Sequence, residues 1–129
     1  MPSQLPVGIF DSGLGGVSVL RDMAAMAPNE AFIYYGDDKN APYGTRPQEE
    51  ILRLASSVAD TLLARNIKAL VIACNTATSA AAAHLRAVLS IPVVGMEPAL
   101  KPAALSAHGG RVLVLATPAT LRQEKFQIL

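Results

Sequence analysis

Short apolar runs alternate with longer amphipathic stretches along most of this chain. That alternation constrains the fold more than any other feature. Val7-Gly8-Ile9-Phe10 reads as a first strand. Gly13-Leu14-Gly15-Gly16 reads as a turn, and 17–27 as a helix that stops at Pro28, since proline lacks the N–H a helix needs. Residues 31–35, aromatic and β-branched, read as a second strand. A loop over 36–44 follows, with Pro42 and two glycines. Thr45 and Gln48 lie three apart, the spacing of a capping box. They predict a helix to about Arg65, with Ile51, Leu54, Val58 and Leu62 on one face. Ala69-Leu70-Val71-Ile72 reads as a buried third strand, 78–89 as an alanine-rich helix, and 91–95 as a fourth strand. Repeated strand–helix alternation predicts an α/β fold, a parallel sheet flanked by helices.

Glu97-Pro98 marks a boundary in this pattern. Residues 1–97 read as one α/β domain and 98–129 as the truncated start of a second. The second unit opens with a helix over 98–107, a Gly109-Gly110 turn and a strand over 111–116. Thr117-Pro118 is a strong helix start, with Thr as N-cap and Pro at the first helical position. The last segment, Phe126-Gln127-Ile128-Leu129, offers no polar ending or cap, so the text stops inside what reads as a helix. No internal repeat or low-complexity linker is visible.

Composition bounds the function. The chain has 129 residues, 51% of them hydrophobic and 16% charged, enough for a buried core. A net charge of +1, from 11 basic and 10 acidic residues, is no footprint for nucleic acid or an anionic membrane. No apolar run approaches the roughly 20 residues that span a bilayer. One cysteine rules out an intrachain disulfide. Met1-Pro2-Ser3-Gln4 begins no secretory leader, so the chain fits a reducing cytoplasm. His84, His108 and Cys74 lack zinc-ligand spacing, and no metal is expected. His84 reads as a helix-surface residue and His108 as part of a turn.

The single thiol sits in Ala73-Cys74-Asn75-Thr76-Ala77, between a buried strand and a helix. Ligands of α/β folds bind at the carboxyl ends of strands. A helix N-terminus carries unpaired N–H groups and partial positive charge. Both favour a thiolate, the reactive form. The alternative is a buried packing cysteine, but Asn75 and Thr76 are polar company for one. Asp11-Ser12-Gly13-Leu14-Gly15-Gly16 follows the first strand. It lacks the last glycine of a dinucleotide fingerprint, because position 18 is Ser18, and it lacks a Walker ending. Capping explains Ser12 well and Asp11 less well. The loop Asp37-Asp38-Lys39-Asn40-Ala41-Pro42-Tyr43-Gly44 reads from its residues alone as a solvated surface loop. Capping accounts for Thr117. A crevice of thiol, carboxylate, hydroxyls and amides suits a small polar substrate with a carboxylate. With neither histidine at a strand end, acid/base use of the thiol is favoured over nucleophilic use. An ordinary cysteine pKa near ~8.5 allows either protonation state.

Three motifs add a resemblance. Gly8-Ile9-Phe10-Asp11-Ser12-Gly13-Leu14-Gly15-Gly16, Ala41-Pro42-Tyr43-Gly44-Thr45-Arg46 and Ala73-Cys74-Asn75-Thr76-Ala77-Thr78 resemble, in order, motifs of the bacterial glutamate racemases. The likeness extends more loosely to Leu129. The C-N-T core is common to the aspartate/glutamate racemase superfamily, and the other two elements point to the glutamate branch. The resemblance implies cofactor-independent interconversion of L- and D-glutamate in the cytoplasm, supplying D-glutamate to peptidoglycan and so to cell-wall biogenesis and cell shape. It implies two similar domains and two cysteines on opposite sides of the α-carbon. Cys74 would be the base serving D-glutamate, with Asp11 assisting its protonation. Ser12, Asn75 and Thr76 would hold the substrate's carboxylate and amino groups, and Tyr43 and Gly44 would close the pocket. Glutamate is then the partner, with no nucleic acid or membrane, and a homodimer is left open. The family's second cysteine has no counterpart here, so this chain alone is expected to turn over little or nothing. Where the family often has Gly before its threonine, this chain has Ala116. The alternatives are a racemase for another amino acid such as aspartate, and a non-catalytic module that binds small acids.

Overall fold

In the computed structural model, which describes residues 4–124 and 127, the apolar runs pair in parallel. β1 (Val7–Asp11), β2 (Phe32–Gly36), β3 (Ala69–Ile72) and β4 (Val93–Gly95) form a sheet in the order β2-β1-β3-β4. Phe10 lies opposite Tyr35 on one side and Ile72 on the other. Chain order reverses between β1 and β3, since β2 lies beyond one and β4 beyond the other. Such a switch point opens a crevice at the carboxyl ends of the two strands.

Side chains alternate across a strand. Phe10, Leu70, Ile72 and Val93 point to one face and are buried there. They meet α2 (Gln48–Leu63) through Ile51, Leu54, Val58 and Leu62, the stripe the sequence predicts. α3 (Asn75–Val88) adds Ala77, Ala80, Ala81 and Leu85 to the same core. Its small residues let the helix lie close against α2 and the strands. Ile9 and Val71, out of phase with Phe10 and Leu70, point to the other face. α1 (Val17–Met26) packs against β2 and has no buried residue of its own, while Ile9 and Val71 are themselves buried.

The structure corrects several local expectations. The capping box at Thr45 and Gln48 does not form: α2 begins at Gln48 with Pro47 at its N-cap and no side-chain cap. The residue before a proline is pushed out of helical conformation, so Arg46 cannot open the helix. Its guanidinium instead donates to the carbonyls of Asn40 and Pro42 and to Glu50. α3 begins three residues earlier than predicted, at Asn75, because Cys74 itself is the cap. Residues 111–116 form no strand among the described residues. They carry the right alternation, but a strand needs a neighbour to complete its ladder, and Leu113 and Leu115 stay 87% and 90% exposed. A further correction, at Ser12, belongs to the site.

α4 (Leu100–Ser106) and α5 (Pro118–Leu121) follow the sheet. Thr117 caps α5 as expected, its hydroxyl accepting from the Thr120 N–H. Of the closing segment, Phe126, Ile128 and Leu129 lie outside the described residues. Among the described residues no helix is long and apolar enough to cross a membrane.

Candidate active site

β1 delivers its last residue, Asp11, to the crevice. Oδ2 accepts from the Gly13 N–H at 3.2 Å and the Gly16 N–H at 3.1 Å. Asp11 therefore closes the turn that capping was expected to assign to Ser12, and α1 starts with no side-chain cap. Both bonds fall on one oxygen, which leaves Oδ1 for whatever enters. Gly16 makes this possible. A Cβ there would lie 2.8 Å from the Asp11 Cβ and 3.0 Å from the Ala73 Cβ, so only glycine lets the turn lie against both strand ends. Tyr34 locks the turn from β2, donating to the Gly13 carbonyl at 2.8 Å. Burial, then the Asp11, Asp38 and Cys74 charges, raise its pKa above the ordinary tyrosine value.

β3 delivers Cys74, 7% exposed. Its Sγ accepts from the Ala77 N–H at 3.4 Å, so the sulfur caps α3 and sits against the positive end of that helix. Ser12 Oγ lies 3.4 Å from the same sulfur. The side chain that sequence reasoning took for a cap is thus a hydrogen-bonding neighbour of the thiol. The sulfur is thus held between the N-terminus of α3 and a hydroxyl.

Asp11, Ser12, Cys74, Asn75 and Thr76 line one cleft of about 720 Å³. Residues 112–117 and Thr120 line it as well. Thr117 and Thr120 thus line the cleft, although the sequence assigns them no role beyond the cap at Thr117. The Thr117 hydroxyl also lies 2.8 Å from Thr76 Oγ1.

Tyr43 and Gly44 are not among the residues that line this cleft. Tyr43 is buried, and its hydroxyl donates to Asp37 Oδ2 at 2.6 Å. The Asn40 amide donates to both oxygens of Asp37. The loop read as solvated is thus organised around a buried carboxylate. A clue was present, since Asp37 directly follows β2 as Asp11 ends β1. Gly44 acts one step back from the cleft. Its carbonyl accepts from the Ala119 N–H at 3.1 Å, and a Cβ there would lie 2.6 Å from the Thr117 side chain. The loop therefore seats α5, and α5 brings its threonines to the cleft.

Burial, with the hydrogen bond to Asp37, pushes the Tyr43 pKa far above its usual 10.0. Above pH 10.0 the unfolded chain releases this proton while the folded chain holds it, so stability present below that pH is lost as pH rises beyond it. An alkaline titration followed by tyrosinate absorbance should show Tyr43 still neutral above pH 10.0, ionising only as the fold is lost. A Tyr43→Phe chain lacking that late step identifies the residue. Normal ionisation of Tyr43 in the folded chain contradicts the buried Asp37 contact.

His84 is exposed on α3, and His108 lies in a turn, away from this cleft. Among the described residues no cluster of three or more His, Cys, Asp or Glu side chains could hold a metal ion.

A family profile described as Asp/Glu/hydantoin racemase matches residues 7–127. A glutamate racemase of Clostridium botulinum (strain Kyoto / Type A2) is 53% identical over 121 residues, covering 94% of this chain and 47% of that protein. The structure of the Thermus thermophilus glutamate racemase in complex with β-chloro-D-alanine is similar at 40% identity and a TM-score of 0.81, over 97% of this chain and 48% of that one. The Escherichia coli glutamate racemase in complex with L-glutamate and the activator UDP-MurNAc-Ala superposes with a TM-score of 0.87 at 33% identity, over 96% of this chain and 47% of that one. The chain spans about half the length of the relatives it matches.

Proposed function

The chain belongs to the Asp/Glu/hydantoin racemase family, and from that premise we propose that the whole protein interconverts L- and D-glutamate without a cofactor, with Cys74 as the base that acts on D-glutamate. One observation carries the reading. The chain's single thiol caps α3 at the end of β3, hydrogen-bonded to Ser12, inside a cleft that also holds Asp11. The relatives support glutamate as substrate, since one is a glutamate racemase with L-glutamate bound.

The chemistry follows from this arrangement. The Cα–H bond of D-glutamate breaks and its proton passes to the Cys74 thiolate. The electron pair stays on Cα and spreads into the adjacent carboxylate. Donors fixed before the reaction stabilise that growing charge most in the transition state. Ser12, Asn75 and Thr76 line the cleft as such donors, and α3 adds first-turn amides that have no partner within the helix. A proton delivered to the opposite face forms the new Cα–H bond of L-glutamate. The family resemblance implies that this second acid is also a cysteine, and Cys74 is the only one in residues 1–129. Cys74 ends as the thiol, ready to return a proton in the reverse direction. Residues 1–97 form the first domain and 98–129 open the second. Gly44 contributes by seating α5, and Tyr43 by holding the same loop through Asp37. D-Glutamate made in the cytoplasm then serves peptidoglycan synthesis.

Chiral analysis of glutamate and aspartate incubated with the full protein tests the reading. Glutamate should be interconverted about 10–200-fold more efficiently than aspartate, the range one methylene usually gives. A preference for aspartate moves the protein to another branch of the family. Binding of glutamate with its α-proton left in place makes the protein a binding module and ends the proposal.

A further inference from the structure

Three threonine hydroxyls meet at the cleft wall from two distant parts of the chain. Thr76 Oγ1 lies 2.8 Å from Thr117 Oγ1 and 3.3 Å from Thr120 Oγ1, and the last two are 3.1 Å apart. Thr120 is 1% exposed and Thr76 4% exposed. All three line the cleft that holds Cys74.

Each hydroxyl has one proton to donate. Thr117 Oγ1 already accepts from the Thr120 N–H at 3.3 Å. The buried Thr120 hydroxyl has the oxygens of Thr76 and Thr117 as its hydrogen-bond partners among the described residues. With the cleft empty, three protons can close a ring. The 3.3 Å edge between Thr76 and Thr120 is its longest side. An anionic oxygen in the cleft opens the ring at that edge with the least loss. Thr120 then donates to Thr117, Thr117 donates to Thr76, and the Thr76 proton turns outward. Hydroxyls linked in one direction polarise each other, so the last is a stronger donor than one standing alone.

We propose that Thr120 is a positioning residue. It heads a hydroxyl relay through Thr117 that fixes and polarises Thr76 as a donor to the substrate carboxylate. This rests on the reading of Cys74 as the base acting on glutamate. Charge builds on that carboxylate as the α-proton leaves, so the relay matters more to the transition state than to the bound ground state.

The test is steady-state racemisation by the full protein carrying Thr120→Val or Thr120→Ser, each first shown to be folded by its thermal transition. Valine keeps the methyl group and removes the hydroxyl, whereas serine does the reverse. The relay predicts that Thr120→Val lowers kcat/KM about tenfold, mostly through kcat, the upper size of one hydrogen bond between neutral groups. Thr120→Ser should stay within about threefold of wild type. A packing role predicts the opposite order, valine above serine, and that order overturns the proposal. So does a valine variant with unchanged kcat. Should the valine variant not fold, Thr120→Ala removes the same hydroxyl and is held to the same prediction. A wild-type protein that leaves glutamate unchanged overturns the glutamate reading, and the relay falls with it. An active wild type with an insensitive Thr120 overturns the relay alone.

Discussion

Cys74→Ser in the full protein is expected to lose racemisation by about 10²–10⁴-fold, the contribution of a positioned acid/base group, while keeping its fold. The substitution separates two roles that coincide in wild type. Cys74 caps α3 through the bond its sulfur accepts from the Ala77 N–H. Serine is a better helix cap than most residues, so the helix start survives the change. A hydroxyl is a far weaker acid than a thiol, so its conjugate base is scarce near neutral pH. Measured rates of enantiomer interconversion, beside a thermal transition, decide the matter. Near-wild-type activity in a folded Cys74→Ser protein would leave Cys74 a structural cap. Loss of both activity and fold would show that the cap was the larger role.

Phe10→Ala is expected to destabilise the chain by about 3–5 kcal/mol, a large share of the roughly 5–15 kcal/mol that holds a domain together. Phe10 is fully buried and lies in the central strand between Tyr35 and Ile72. Its face packs with the buried stripe of α2 and the alanines of α3. β1 also ends in Asp11, so the residue that anchors the core also holds one wall of the cleft. A denaturant titration reads the effect as a lower midpoint. A loss under about 1 kcal/mol would mean the core can collapse around the missing ring, outside the range for such truncations.

Much of the fold was legible because it is periodic. Alternating apolar runs announced four strands, and all four pair in parallel. Ile51, Leu54, Val58 and Leu62 announced the buried face of α2. Cys74 stands out as a candidate because a strand, a polar step and a helix succeed one another there. What failed was either local competition or distant contact. Thr45 and Gln48 have the right spacing, but Pro47 moves the helix start past them. The 111–116 run has strand chemistry, yet chemistry cannot supply a neighbouring strand. Ser12 reads as a cap because its partner, Cys74, is 62 residues away. The same reason hides Thr120, whose hydroxyl meets Thr76 across 44 residues. Tyr43 reads as part of a solvated loop, and only the folded loop shows that Asp37 takes its hydroxyl. Single positions declare their chemistry in a sequence, whereas pairs far apart declare it only once the chain has folded.

Isotope exchange tests the central claim most directly. Each glutamate enantiomer would be incubated in deuterated water with the full protein and with its Cys74→Ser variant, and α-deuterium measured before equilibrium. If Cys74 is the base for D-glutamate, wild type places deuterium at Cα from either enantiomer, and the variant leaves D-glutamate protiated while still exchanging L-glutamate. Deuterium entering D-glutamate as fast in the variant as in wild type would contradict the account.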